Sequence, residues 1–374
     1  MRLKDIVDLA TSEAPPPRYD VDEIVARGRG EQRRRRTRTW ATSGAAALAV
    51  LGVVAAAVQA GTERAPAEVA AASAGPLVPV PVDAPPFTFT VDGYQVGRLR
   101  VARPIDVSRS YQLSPVYSDD LVTNDRAVDP DEPAVSSPSL YAYLTVYRPG
   151  AYDPSRLPGA TTVDVGGRRG LEATAPNPGG MAIVRTLAWE YADGAWAVID
   201  ANSSEAEDPS AAELRALAAG LRGTAPRPAK VPVTLGHVPD GYRLDEVAMH
   251  AMTGLNGIAS ARDGDHAGLL FSRPGQPTSG LTEPFGGVEG RDVPNSFVVY
   301  VVPAGNSNQR PSPRVTCGAY FCNRWSPDGA VNVQVASGGP GALPTPELAK
   351  ILSDITLADV ADESTWTRAP AVVR

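Results

Sequence analysis

Hydrophobic positions are most concentrated between Trp40 and Ala60, a run of 21 residues without a charged side chain. Only Thr42, Ser43 and Gln59 in this run are clearly polar. A helix of about 20 apolar residues crosses the roughly 30 Å hydrocarbon layer of a membrane, because its backbone polar groups are hydrogen-bonded within the segment. The pattern therefore predicts a transmembrane helix over residues 40–61.

The charges on the two sides of this run are unequal. After it come only Glu63 and Arg64, whereas five arginines stand before it as a topology anchor: Arg33, Arg34, Arg35, Arg36 and Arg38. The positive-inside rule then predicts a single-pass protein of the cell membrane, with a cytoplasmic N-terminus and an extracytoplasmic C-terminus. A cleaved signal peptide ending near Ala60 and a buried soluble helix are the two alternatives, although the leader is long for a signal peptide of about 15 to 30 residues.

The cytoplasmic leader, residues 1–39, shows apolar positions at helical spacing in two short stretches. The second stretch begins at Asp20, a good N-cap, with Glu23 three residues later. Helices this short are marginal in water unless their apolar faces are covered. A docking face for a cytoplasmic protein, or for the bilayer surface, is therefore predicted on Leu3, Ile6, Val7, Ala10, Val21, Ile24 and Val25. A frayed tail that binds nothing is the alternative.

Beyond the span the pattern changes to a Pro/Ala-rich spacer over residues 62–86, followed by strand-like segments. These segments form an internal repeat. Asp-Gly-Tyr occurs at residues 92–94 and 240–242, and an Asp-Gly pair between β-rich flanks occurs at residues 193–194 and 328–329. Each Asp-Gly pair predicts a hairpin, because a type I′ turn needs positive φ at both central residues.

Each repeat ends in a predicted helix whose apolar residues recur at helical spacing: Leu214, Leu217 and Leu221 in the first, and Leu348, Ile351 and Ile355 in the second. The resulting fold class is α+β, with one N-terminal transmembrane helix and two diverged extracytoplasmic units, each an antiparallel sheet with a C-terminal helix. The predicted boundaries are unit 1 at 87–223, a linker at 224–230, unit 2 at 231–358 and a loose C-terminal tail at 359–374, in which Trp366 is a candidate to pack back on unit 2. Chance similarity between two β-rich domains is the alternative.

Charge is divided by the predicted span. The chain has a net charge of −7, of which residues 1–39 carry +3 and the remainder −10. An acidic exterior argues against nucleic-acid binding, which needs a basic stripe. The basic residues beside the span are explained as an anchor at anionic lipid.

The two cysteines, Cys317 and Cys322, both lie in the predicted exterior. An even pair in an oxidising compartment predicts a structural disulfide. A metal half-site would need further ligands nearby, and a redox pair is more usually Cys-x-x-Cys.

The remaining residues with chemical potential are explained structurally. His237, His250 and His266 carry no metal-ligand spacing, and Ser118 to Glu132 is predicted as an exposed acidic loop that does not follow the calcium-loop pattern. No Gly-x-Ser-x-Gly, Walker or His-Glu-x-x-His motif occurs. No catalytic residue, cofactor site or metal site is therefore predicted. Aromatic residues cluster in unit 1 and are expected on one sheet face: Tyr141, Tyr143, Tyr147, Trp189, Tyr191 and Trp196.

The phrase Ala14-Pro15-Pro16-Pro17-Arg18-Tyr19-Asp20-Val21-Asp22, an arginine run, one Ala-rich span and a Pro-rich spacer resemble the single-pass membrane proteins of high-GC Gram-positive bacteria. The layout is similar to that of membrane-bound anti-sigma factors and of sensor-type extracytoplasmic proteins. The resemblance implies a sigma-factor-like partner bound through residues 1–30. The leader departs from zinc-containing anti-sigma domains, because residues 1–39 contain neither His nor Cys.

The prediction for function is a non-enzymatic membrane protein whose exterior senses or binds a ligand, with an anti-sigma-like regulatory role. An envelope ligand-binding or scaffold module, for which the leader is only an anchor, is the alternative. An envelope enzyme is the third hypothesis, and it requires a deep pocket with convergent polar residues.

Overall fold

The computed structural model describes residues 78–124, 135–176, 183–203, 209–251, 266–285, 293–307 and 309–374. The predicted leader helices, the anchor Arg33–Arg38, the span and the spacer up to residue 77 lie outside these ranges. Within the described ranges, no helix is long and apolar enough to cross a membrane.

The first half of the described chain contains strands β1 (Thr88–Val91), β2 (Tyr94–Val96), β3 (Leu99–Val101), β4 (Asp106–Ser108), β5 (Tyr111–Asn124), β6 (Val135–Tyr147), β7 (Thr161–Val165), β8 (Arg168–Pro176), β9 (Ile183–Ala192) and β10 (Ala195–Ser203). Helix α1 (Ala211–Ala219) follows. The side chain of its N-cap Ser210 accepts from the backbone of Glu213, and Glu213 accepts from the backbone of Ser210. This capping box satisfies two otherwise unpaired amides and starts the helix.

The second half contains β11 (Gly223–Pro228), β12 (Lys230–Val231), β13 (Val233–Leu235), β14 (Arg243–Met249), β15 (Ala267–Ser272), β16 (Ser296–Pro303), β17 (Thr316–Cys317), β18 (Phe321–Trp325), β19 (Val331–Ala336), helix α2 (Thr345–Ser353), β20 (Ile355–Leu357) and β21 (Thr367–Arg368). Short 3₁₀ turns lie at Pro154–Arg156, Ala304–Asn306, Glu363–Thr365 and Ala369–Ala371. Both Asp-Gly pairs lie in hairpin turns, with φ of 64° at Gly194 and 72° at Gly329. The expected type I′ geometry is wrong, because neither Asp193 nor Asp328 has the positive φ that such a turn needs at its first central residue.

One antiparallel sheet runs through both halves of the described chain. Its strand order is β17-β18-β19-β16-β15-β14-β4-β5-β6-β10-β9-β8-β7, with β3 also pairing β5 and β2. The halves join where β4 pairs β14, through Asp106↔Ala248, Val107↔Val247 and Ser108↔Glu246. These six residues are called the seam. The sequence predicted a separate sheet for each unit, and the strands instead continue from one half to the other.

Both helices pack on the same face of this sheet. Leu214 and Leu217 of α1 belong to an apolar cluster with Leu144 and Ile199, and α2 packs through Leu348, Ile351 and Leu352 into a second cluster that includes Val107 and Val247 of the seam. The opposite face carries a third cluster, built around Tyr111, Tyr147, Tyr152 and Trp196. Side chains alternate along a strand, so seam residues next to Val107 and Val247 point to this opposite face.

Two segments that were predicted to be loose are paired. The predicted linker is in strands, since β11 pairs β1 and β12 pairs β21. Its prolines are tolerated because β11 has a partner on one side only. The predicted tail packs into the core through Trp366, Ala369 and Val372, which are at most 5% exposed.

Two smaller expectations were also wrong. Ser118 to Asn124 are not part of a loop, because they continue β5 and pair with β6 as far as Asn124↔Val135. The aromatic residues of the first half do not share one face: Trp189 packs with the α1 cluster, whereas Tyr147 and Trp196 pack on the other side. A register shift at Ala195 and Trp196 breaks the simple alternation that the sequence pattern assumed.

Candidate functional site

Three carboxylic acids lie in or beside the seam: Asp106, Asp245 and Glu246. Each is buried, with 4%, 3% and 2% of its surface exposed, respectively. The pairing of β14 with β15 shifts register between Leu244 and Glu246, so that Asp245 is the bulged residue. Asp245 and Glu246, although adjacent in sequence, therefore lie in two different environments.

Glu246 faces the aromatic side of the sheet. The Tyr111 hydroxyl donates a hydrogen bond to Glu246 Oε2, and that hydroxyl accepts from the backbone N–H of Phe285 at 2.8 Å. Burial raises the pKa of Glu246 to about 7. Burial, and then the charge of Glu246, raise the pKa of Asp106 well above its ordinary value. Among the described residues, Asp106 Oδ1 has no hydrogen-bond partner.

Asp245 faces a hydrogen-bonding loop instead. Its carboxylate accepts from the Ser272 hydroxyl and from the backbone N–H of Gln276 at 3.0 Å. Burial raises the pKa of Asp245, while these hydrogen bonds and the charge of Arg109 oppose the increase. Asp245 is therefore held by donors on one side and faces a cation on the other.

Asp245 forms part of the floor of an open groove of about 530 Å³, and this groove is basic. Its lining comprises Arg109, Gly241, Arg243, Asp245, Arg273, Pro274, Gly275, Gln276 and Thr278. The three arginines are exposed, and among the described residues none of them forms a salt bridge. We call this feature the arginine groove. Its guanidinium groups are available to a ligand.

Local structure fixes where each of the three arginines stands. Arg109 lies in the turn between β4 and β5, where the Ser108 hydroxyl accepts from the backbone N–H groups of Ser110 and Tyr111 at 2.9 and 3.0 Å. Arg243 begins β14, and Arg273 directly follows β15. The guanidinium of Arg109 lies 5.3 Å from the Phe87 ring centre, and that of Arg273 lies 5.5 Å from the Tyr242 ring centre. Cation–π contact orients both groups while leaving their N–H donors exposed.

Gly275 keeps the groove open. A Cβ atom at this position would lie 3.1 Å from Asp245 Oδ1 and 3.5 Å from Arg243 Cδ. An alanine would therefore crowd the Asp245 carboxylate, while its contact with the Arg243 stem would be an ordinary van der Waals contact.

A second, apolar pocket of about 250 Å³ adjoins the groove at Arg109. Its lining comprises Pro85, Pro86, Phe87, Arg109, Leu244, Ala369, Pro370, Val372 and Val373. We call it the apolar pocket. The topology brings four parts of the sequence together to form it: residues 85–87, the β4–β5 turn at Arg109, Leu244 of β14 and the C-terminal segment.

The predicted disulfide is present and lies away from the seam. Cys317 and Cys322 are bonded, with an S–S distance of 2.07 Å, and they join the β17–β18 hairpin at one edge of the sheet. It closes a small loop that presents Tyr320, which is 66% exposed.

The histidines lie in separate contacts outside the arginine groove. His237 Nε2 lies 2.6 Å from Glu347 Oε1, and His250 Nε2 lies 2.9 Å from Glu363 Oε1. Burial, and then His250, lower the pKa of His266. In the described part of the chain, no three His, Cys, Asp or Glu side chains are grouped to hold a metal ion.

Sequence reasoning missed the seam and both cavities. One signal was present: Asp245-Glu246 is a pair of acids inside the otherwise apolar strand Leu244 to Met249. Buried acids need partners, so this pair marked a special environment. The arginines, by contrast, are far apart in sequence and carry no local signature.

Comparisons with known proteins add little. No protein-family model and no curated protein sequence matches the chain. Among solved structures, the chain is similar to the crystal structure of MucB in complex with MucA(peri), with 12% sequence identity and a TM-score of 0.20 over 72% of this chain and 92% of that chain. A likeness at this TM-score carries no conclusion about fold, partner or function.

Proposed function

We propose that this chain is a non-enzymatic, single-pass membrane protein whose extracytoplasmic part binds an anionic group in the arginine groove. The observation that carries the proposal is the presence of three exposed guanidinium groups around one open groove, without a carboxylate in salt-bridge distance among the described residues. Guanidinium groups recognise carboxylates and phosphates through paired N–H donors. The positive charge of the groove is therefore not neutralised by salt bridges within the described residues, and it can attract an anionic ligand.

The charge of the rest of the chain favours selective binding at this place. Residues 40–374 carry a net charge of −10. An anionic ligand is repelled by most of such a surface and attracted where the arginines are concentrated.

The polar groups of the groove support binding more than catalysis. The lining of the groove contains one hydroxyl residue, Thr278, and no histidine. The Ser272 hydroxyl, which donates to Asp245, is fully buried. A nucleophile has to be presented to its substrate beside a base, and this hydroxyl is instead used to hold the bulged strand.

The regulatory part of the proposal rests on the sequence. Residues 40–61 hold the protein in the membrane, and residues 1–30 dock a cytoplasmic, sigma-factor-like protein. A pull-down with residues 1–39 tests this part, and recovery of no specific protein would contradict it. If the leader is only an anchor, exchange for an unrelated basic leader will leave function unchanged.

Anion binding is tested by titrating the full-length protein, in detergent micelles and phosphate-free buffer, with citrate. We expect a dissociation constant on the order of 1 mM, equivalent to about −4 kcal/mol, which weakens as salt is added because exposed charges are screened. Combined replacement Arg109→Gln, Arg243→Gln and Arg273→Gln should abolish binding. The control Arg314→Gln, at an exposed arginine next to edge strand β17, should not change it. Equal binding by the triple variant would contradict the proposal.

A further inference from the structure

The arginine groove and the apolar pocket share a wall. Arg109 lines both, and the consecutive residues Arg243 and Leu244 line the groove and the pocket, respectively. A ligand whose anionic group binds the guanidinium of Arg109 therefore has an apolar recess directly beside that group. Neither cavity alone has this combination.

The size of the recess limits what it can hold. Its volume of about 250 Å³ is below the roughly 300–1,000 Å³ of pockets that enclose a whole small-molecule ligand. It has room for one large apolar side chain. A membrane lipid, with two long acyl chains, would leave most of its apolar surface in water.

The guanidinium groups come from three separate elements: the β4–β5 turn, the start of β14 and the end of β15. Three guanidinium groups around one groove suit a ligand that carries several carboxylates. Charge complementarity thus favours an acidic peptide.

We infer that the two cavities form one site for an acidic peptide segment of a protein partner, in which an apolar side chain next to the carboxylates enters the apolar pocket. This inference rests on the proposed function, since it names the ligand class of the same groove. Arg109 is the residue that couples the two parts, because it lines both cavities and its guanidinium lies over the ring of Phe87, which lines the pocket.

The test uses the full-length protein in micelles and two fluorescein-labelled hexapeptides that each contain four aspartates. One peptide has a central leucine and the other has glycine at that position. Burying a leucine side chain favours binding enough for about a tenfold gain in affinity. We therefore expect the leucine peptide to bind about tenfold more tightly than the glycine peptide, and Arg109→Gln to weaken both by about tenfold.

A pocket-filling variant separates the two parts of the site. Val373 lines the pocket and is 44% exposed, so Val373→Phe should fill the recess, remove the leucine advantage and leave glycine-peptide binding unchanged. The matched control is Val315→Phe, at a 46% exposed valine beside β17, which should change neither value. If Val373→Phe lowers the melting temperature, Val373→Gln provides the same comparison by making the lining polar.

The possible failures are distinguishable. Equal affinities for the two peptides, with citrate still bound, would overturn the inference and leave the proposed function standing. Absence of binding by citrate and both peptides would overturn both. Binding to vesicles of phosphatidylglycerol and phosphatidylcholine that depends on Arg109, without peptide binding, would also overturn the inference by assigning the groove to lipid.

Discussion

Asp245 and Glu246 are adjacent in sequence, similar in chemistry and equally buried, yet they lie in opposite surroundings. Asp245 accepts hydrogen bonds from Ser272 and Gln276 and faces an arginine across an open groove. Glu246 has one hydroxyl donor, from Tyr111, and an apolar, aromatic environment. The difference shows that one bulged residue in β14 separates a pair of buried acids into a group that lines the groove and a group in the core.

The largest expected difference between the two acids is the pH dependence that Glu246 gives to stability. Its pKa is about 7 in the folded protein against an ordinary value of 4.5. Between these values folding takes up a proton, so the contribution to stability is complete below pH 4.5 and is lost as pH rises through 7. Each pKa unit corresponds to 1.36 kcal/mol, which gives a loss of about 3 kcal/mol by pH 8.

Glu246→Gln removes this effect, because glutamine keeps an oxygen acceptor for Tyr111 but does not ionise. It also removes the charge that adds to the rise in the pKa of Asp106, so the measured difference includes both carboxyl groups. Urea unfolding followed by tryptophan fluorescence at pH 4.5, 6 and 8 should show the variant losing about 3 kcal/mol less stability than wild type across the range. The comparison with wild type is needed because burial also raises the pKa of Asp200, to about 6, and lowers that of His266. Parallel pH curves for the two proteins would refute the buried environment of Glu246.

Tyr111→Phe should have the next largest effect. It removes the donor to Glu246 and the acceptor for Phe285 N–H, leaving a buried carboxyl and a half-buried N–H unpaired at a cost of about 2 kcal/mol. Tyr191→Phe is the control, since that hydroxyl makes one hydrogen bond, to the Tyr147 carbonyl at 2.8 Å, and should cost about 1 kcal/mol. Chemical denaturation at pH 6 measures both, and equal losses would show that Tyr111 does not link the seam to residue 285.

Asp245→Asn should change binding more than stability. Loss of the negative charge strengthens the positive field of the groove, so citrate affinity should rise about threefold, while unfolding free energy changes by no more than about 1 kcal/mol. Asp193→Asn removes an equal charge from the β9–β10 turn and should leave citrate affinity unchanged. A decrease in affinity in Asp245→Asn would mean that the carboxylate itself contacts the ligand.

The smallest expected effect is a change in the pKa of Asp245 without a change in the pKa of Glu246. Arg109→Gln removes the charge that opposes the rise in the pKa of Asp245, so that pKa should move further upward. The pKa of Glu246 should remain unchanged, because its shift is caused by burial, Tyr111 and Asp245. Carboxyl ¹³C NMR titration measures both, and equal movement of the two would contradict their separation by the bulge.

Local elements of the fold were predictable, because their causes are local. Ser210 with Glu213 starts α1, Asp-Gly pairs close the two hairpins with positive φ at glycine, and the near neighbours Cys317 and Cys322 bond across one hairpin. The seam was not predictable. Val107 and Val247 pair although they are 140 positions apart in the sequence, and nothing in either three-residue stretch shows that a strand of the other half will pair with it.

The candidate site was unpredictable for the same reason. Arg109, Arg243 and Arg273 each read as an ordinary exposed arginine, and only the pairing of β4, β14 and β15 brings them to one groove. The composition of Thr224 to Lys230 predicted a Pro-rich linker, and this prediction was wrong. Residues before position 229 pair with β1, and residues after it pair with β21. The membrane span, its orientation and the cytoplasmic docking face stay predictions.

The central claim is that Arg109, Arg243 and Arg273 form one anion site, and arginine side-chain NMR tests it most directly. In the full-length protein the Nε–Hε resonances, assigned with single Arg→Gln variants, are followed during titration with citrate. The account predicts that these three resonances shift together and saturate with a single dissociation constant, while that of Arg314 does not move. Small, non-saturating shifts spread over all exposed arginines would contradict it.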